Sequence, residues 1–78
     1  MINVMLDHEQ TGKNLKSARI EAGLKVDHVR QACGFKNPQS VYNWERGVRS
    51  PSTDHLGIIS KLYNKPIGSL LATTCIDS

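Results

Sequence analysis

Between Lys36 and Arg49 the chain gathers five uncharged polar side chains, Asn37, Gln39, Ser40, Tyr42 and Asn43, within a bracket of three cations, Lys36, Arg46 and Arg49. Amides hold a donor and an acceptor side by side, hydroxyls serve as either, and ammonium and guanidinium groups donate to anionic oxygens. Such a set recognises by hydrogen bonds and charge. It is poorly suited to breaking bonds. No Ser-His-Asp or Cys-His pairing has a recognisable context, no glycine-rich phosphate loop occurs, and 78 residues leave little room for a closed pocket, so an enzyme is not expected. His8, His28 and His55 are scattered, and Cys33 and Cys75 stand 42 positions apart without a CxxC pair. Neither a metal site, a disulfide framework nor a cofactor is therefore expected; both cysteines read as free thiols, with Cys33 in the core.

The elements that would hold these side chains follow from period and punctuation. A first helix is expected from about Thr11 to Ala22, with Leu15, Ala18 and Ala22 on one face and Gly23 ending it. A second runs from Val26 to Cys33, burying Val29, Ala32 and Cys33, and stops at Gly34. The third opens on Asn37 as N-cap with Pro38 at the first helical position, where a missing N–H costs nothing, and runs to about Arg46. It buries Val41 and Trp44, so Gln39, Ser40 and Asn43 project from the opposite side, with Asn37 and Tyr42 flanking. Ser52 caps a fourth helix that carries Leu56, Ile59, Leu62 and Tyr63 inward; Asn64-Lys65-Pro66 breaks it, and Ile67 to Leu71 form a short fifth. There is no strand signal. The fold class is all-α, a compact five-helix bundle: one domain over residues 11–72, between a flexible N-terminal segment, 1–10, and a flexible tail, 73–78.

Helices two and three, joined through Gly34 by a tight polar turn, form a helix-turn-helix, a unit that can lay its second helix in the DNA major groove. Charge supports a polyanionic partner. Residues 11–51 hold eight basic residues against three acidic ones, a net +5, while residues 1–10 carry −2 and residues 52–78 are neutral. The positive charge lies where the helix-turn-helix lies. With no apolar run long enough for a membrane span and no basic, apolar start of a signal peptide, a cytoplasmic protein is expected.

Leu15, Arg19, Gly23-Leu24, Gly34, Val41, the run Trp44-Glu45-Arg46-Gly47, Pro51-Ser52, Leu56, Ile67 and Leu70-Leu71 together resemble the Cro/CI-type helix-turn-helix domains of phage repressors and related bacterial regulators. The resemblance covers about residues 12–71. It implies a lambda-repressor-like domain that binds double-stranded DNA sequence-specifically as a transcriptional regulator of repressor type. Gln39 and Asn43 lead the expected base readers, since their amides can pair with adenine N6 and N7. Ser40, Asn37 and Tyr42 join them. Tyr42 either packs against helix two or offers its hydroxyl to a phosphate. Phosphate contacts are expected from Lys36, Arg46 and Arg49, from the hydroxyls of Ser50 and Ser52, and at the margin from Lys13, Asn14, Lys16 and Lys25. The resemblance also pairs Arg19 with Glu45 as a structural ion pair holding helix three against helix one.

Three positions depart from the family pattern. Lys25-Val26 stands where Ser-Gln is usual, Arg30 stands where an alanine usually crosses helix three, and the stretch from Gly34 to Val41 is one residue longer. The first two keep open an alternative, an antitoxin-type or other interaction module on the same fold. A weak homodimer is expected through the C-terminal apolar residues Ile67, Leu70, Leu71 and the Cys75-Ile76 tail, which one small core cannot easily bury together.

Overall fold

The computed structural model describes residues 2–77, with side chains for residues 5–73. The order is β1 (Ile2–Leu6), α1 (His8–Glu21), α2 (Val26–Cys33), α3 (Gln39–Glu45), α4 (Thr53–Tyr63), α5 (Ile67–Leu70) and β2 (Thr73–Asp77). Five helices thus form the bundle. α1 begins three residues before Thr11, because the Asp7 carboxylate accepts the Gln10 N–H at 3.0 Å and caps the helix there. α2 has the expected bounds and ends at Gly34 in the left-handed region, φ 77°. α4 is capped by Ser52, whose hydroxyl accepts the His55 N–H, and ends at Asn64 with φ 55°.

Leu15, Ala18, Val29, Val41, Trp44, Ile59, Tyr63 and Leu70 make the buried core, with Leu24, Val26, Cys33, Phe35, Leu56 and Leu62 packed around it. Two expected core alanines lie outside. Ala22 is the exposed C-cap of α1, beyond its last turn; Ala32 is exposed because the inward stripe of α2 runs through Val26, Val29 and Cys33 and turns it outward. Leu70, expected beyond the core, is 1% exposed within it. Cys33 is a half-buried free thiol whose pKa burial pushes up; the Cys75 and Ile76 side chains lie outside those described.

The chain ends differ from the loose segments expected. β1 and β2 pair antiparallel in a two-stranded ribbon, Ile2 opposite Asp77 through Leu6 opposite Thr73. The cause is tertiary. Closing the bundle sets residue 7 beside residue 72: the Asp7 N–H donates to the Ala72 carbonyl at 2.8 Å, and the buried Thr11 hydroxyl accepts the Ala72 N–H at 2.9 Å. The two ends therefore extend from the bundle side by side, with opposite chain directions. Among the described residues, no helix is long and apolar enough to cross a membrane.

Candidate nucleic-acid interface

The position of α3 is fixed from beneath by Val41, fully buried, and Trp44, 6% exposed. The Phe35 ring meets the Trp44 ring edge-on at 5.5 Å between centroids, and His55 of α4 tilts against both at 4.8 and 5.6 Å. Edge-to-face packing of this kind adds to simple burial. The turn and the start of α4 thus grip the underside of α3 together.

From the side, α1 comes close enough to require glycine. A Cβ on Gly12 would stand 2.7 Å from the carbonyl oxygens of both Trp44 and Glu45. Sequence reasoning passes over Gly12, although a glycine inside a helix costs stability and so signals a close approach. Gly47, at φ 77°, makes the matching contact, since a Cβ there would fall 2.9 Å from the Glu9 Cα. Across this crossing Arg19 donates from Nε and Nη2 to Glu45 at 2.7 and 3.1 Å, and from Nη1 to the Leu24 carbonyl at 3.0 Å. Donating to Glu45 raises the Arg19 pKa further above its already high value. The pair implied by the resemblance is present, and it keeps the Glu45 charge compensated.

Arg30 does not enter the helix crossing. Its guanidinium turns back along α2, donating from Nε to Asp27 at 2.7 Å and from Nη1 to the Phe35 carbonyl at 2.9 Å. It thereby closes the longer turn. The bond from Arg30 also holds the Asp27 carboxyl below its usual range. α3 opens at Gln39, with Pro38 at the cap position in place of Asn37; the Asn37 Oδ1 accepts the Gln39 N–H at 3.1 Å from one residue further back.

On the outer face Gln39, Tyr42 and Arg46 are exposed, while Asn43 and Ser40 are half-buried, Ser40 on the flank. Tyr42, at 46% exposure, is not packed away. Asn37 lies exposed before the helix. Beyond it, Val48 and Arg49 donate their N–H groups to the Asn43 carbonyl at 2.9 and 3.3 Å, folding the loop back onto the end of α3. Lys25, Lys36, Arg46 and Arg49 are exposed, and none makes an ion pair among the described residues. All three acids of the basic stretch are engaged, Glu21 with Lys65, Asp27 with Arg30 and Glu45 with Arg19. Among the described residues, the acids of the basic stretch are thus taken up elsewhere and leave Lys25, Lys36, Arg46 and Arg49 without an acidic partner.

Other expected contacts are partly committed. The Ser50 hydroxyl bonds His8 Nδ1 at 2.7 Å, a link to α1 that no local signal announces. Ser52 caps α4 and meets His55 Nδ1 at 2.9 Å. Lys13 stands 3.7 Å from Glu9, both well exposed, and Asn14 donates to the Leu70 carbonyl at 3.3 Å.

A model of the helix-turn-helix family, HTH_3, matches residues 15–70. The HTH-type transcriptional regulator ImmR of Bacillus subtilis is 38% identical over 60 residues, which cover 77% of this chain and 46% of that regulator. The chain thus spans about half the length of this relative. Among solved structures, the restriction-modification controller protein C.AhdI of Aeromonas hydrophila aligns with a TM-score of 0.72 at 22% identity, over 82% of this chain and 96% of its own. The clp gene regulator ClgR of C. glutamicum gives 0.71 at 21%, over 85% and 84%. The DNA-binding domain of BldD gives 0.68 at 25%, over 85% and 94%. These likenesses establish the five-helix architecture, and the resemblance to Cro/CI-type domains is borne out.

Proposed function

Because the chain belongs to the helix-turn-helix family, we propose that it binds double-stranded DNA sequence-specifically and regulates transcription, in the manner of a repressor. The observation that carries this reading is the outer face of α3: amides of Gln39 and Asn43 opposite the buried Val41 and Trp44, ringed by the cations Lys36, Arg46 and Arg49, which make no ion pair among the described residues. α3 enters the major groove. Gln39 and Asn43 present amides to base edges, Ser40, Asn37 and Tyr42 lie at the margins, and the cations with Lys25 set register on the phosphates. Ser50 and Ser52 add hydroxyls from the following loop, and Lys13 stands at the periphery.

The interaction-module alternative draws on Lys25-Val26 and on Arg30. Arg30 is accommodated by the turn, which removes the second ground. ImmR is described as a transcriptional regulator and BldD as having a DNA-binding domain, which supports the DNA reading over an antitoxin-type partner.

The test is selection of bound duplexes from a random pool, followed by salt titration on the winner. If each subunit of a dimer neutralises about four phosphates, log affinity falls against log salt with a slope of roughly −7. A slope near zero, or no duplex binding at low salt, refutes the reading. A weak homodimer completes it, centred on the half-buried Leu71 and the strand that follows, since Leu70 is already spent on the core. Sedimentation with and without operator, repeated on Leu71→Asp, checks this; an unchanged 1:1 complex with one half-site would place the protein on DNA as a monomer.

A further inference from the structure

Gln39 and Asn43 stand one helical turn apart, and they are not independent. Nε2 of Gln39 donates to Oδ1 of Asn43 at 3.0 Å. Amides four residues apart on a helix face pair in this way. The bond decides which groups remain for a ligand. Gln39 keeps Oε1 as an acceptor and the second hydrogen on Nε2. Asn43 has committed its side-chain oxygen, and its backbone carbonyl is taken by the N–H groups of Val48 and Arg49. Its Nδ2 hydrogens are free, and Oδ1 keeps one lone pair but is held in place by Gln39.

Adenine offers an N6 donor beside an N7 acceptor in the major groove. What remains of the Gln39 amide is the complement of that edge. Asn43 can make the same two-point contact only in the orientation that its bond to Gln39 dictates, with an oxygen already shared. It is also half-buried, while Gln39 is exposed. Gln39 is held at a second point, because the Asn37 Oδ1 accepts its backbone N–H at 3.1 Å.

We propose that Asn43 is a positioning residue: it holds the Gln39 amide in the orientation that reads one adenine, and the two act as a single unit on a single base pair. This rests on α3 being the base-reading helix. Holding the amide in advance lowers the ordering cost on binding, so the choice of adenine is sharper than a free glutamine would give. It also makes the two side chains non-additive.

The experiment is a double-mutant cycle on the full chain, using the selected operator and a set of operators with each base pair replaced in turn. Gln39→Ala should lower the preference for adenine at one base pair about tenfold, the size of a good two-point contact. Asn43→Ala should lower the preference at that same base pair several-fold and leave every other position alone. The double variant should be no worse than Gln39→Ala. Asn43→Asp, which keeps the acceptor for Gln39, should retain the adenine preference while binding operator and random DNA more weakly through charge. Circular dichroism checks that each variant keeps its fold. If Asn43→Ala alters preference at a different base pair, or the double loss equals the product of the single losses, Asn43 reads a base itself and the proposal is overturned while the role of α3 stands. If Gln39→Ala leaves preference intact at every base pair, the base-reading role of Gln39 fails, and this proposal fails with it.

Discussion

Replacing Glu45 with alanine should be among the most damaging single changes available in this domain. The Glu45 and Arg19 side chains are only 7% and 12% exposed, and they share two hydrogen bonds at 2.7 and 3.1 Å. Glu45→Ala leaves the guanidinium with one partner, the Leu24 carbonyl. The guanidinium is so basic in its own right that, even without Glu45, the arginine cannot escape by losing its proton at any ordinary pH. Breaking a buried pair by removing one partner costs about 3–5 kcal/mol, and the residual exposure argues for the low end, about 3 kcal/mol. A chain of this length has a total stability of roughly 4–12 kcal/mol, so the loss is a large share of it. The melting temperature should fall by about 12–24 °C. Trp44, the sole tryptophan and itself buried, reports unfolding by fluorescence alongside circular dichroism. Replacing both partners together, Arg19→Met with Glu45→Leu, removes the stranded charge and should recover at least half of the loss. A Glu45→Ala cost below about 1 kcal/mol, or a double variant no better than the single one, would refute the claim that this pair bolts α3 to α1.

Arg46→Ala and Arg49→Ala should each weaken binding to operator and random DNA alike and flatten the salt slope by about one for each phosphate no longer neutralised; a selective effect on operator alone would make that residue a base reader. Gly12→Ala should cost about 1–3 kcal/mol, since its methyl meets two backbone carbonyls that cannot move aside, whereas Gly57→Ala, with open space around it in α4, should gain about 0.5–1 kcal/mol; equal melting temperatures for the two would contradict the close crossing. The lowered Asp27 pKa means that its contribution to stability is present above its ordinary value near 3.8 and disappears as pH falls through the folded-state value, so Asp27→Asn should flatten the acid limb of urea-denaturation midpoints measured against pH.

Most of what is legible in the sequence has its cause within a turn or two of the chain, although the Asp7 cap that starts α1 is equally local and passes unread. Helical period placed Val41 and Trp44 inside and so turned Gln39 and Asn43 outward; Gly34 and Ser52 marked an end and a start because left-handed backbone and an unsatisfied N–H are local demands. The charge count located the basic stretch, and the motif run from Trp44 to Gly47 pointed to the family. The tertiary structure decided whatever depends on residues far apart in the chain. Ile2–Leu6 and Thr73–Asp77 carry no signal as isolated strands; they pair because bundle closure delivers both ends to Asp7 and Ala72. Gly12 becomes legible only when the end of α3 is seen to cross it, and Arg30 only when the turn carbonyl it caps is in place. Leu70 reads as surplus in the sequence because a small core is not expected to hold every apolar residue of the C-terminal region; it is buried once α5 packs against α1 and α4. Pattern fixes which face of a helix is buried, since that follows from 3.6 residues per turn. Which backbone comes against that face, and how closely, is set only when all five helices close on one core.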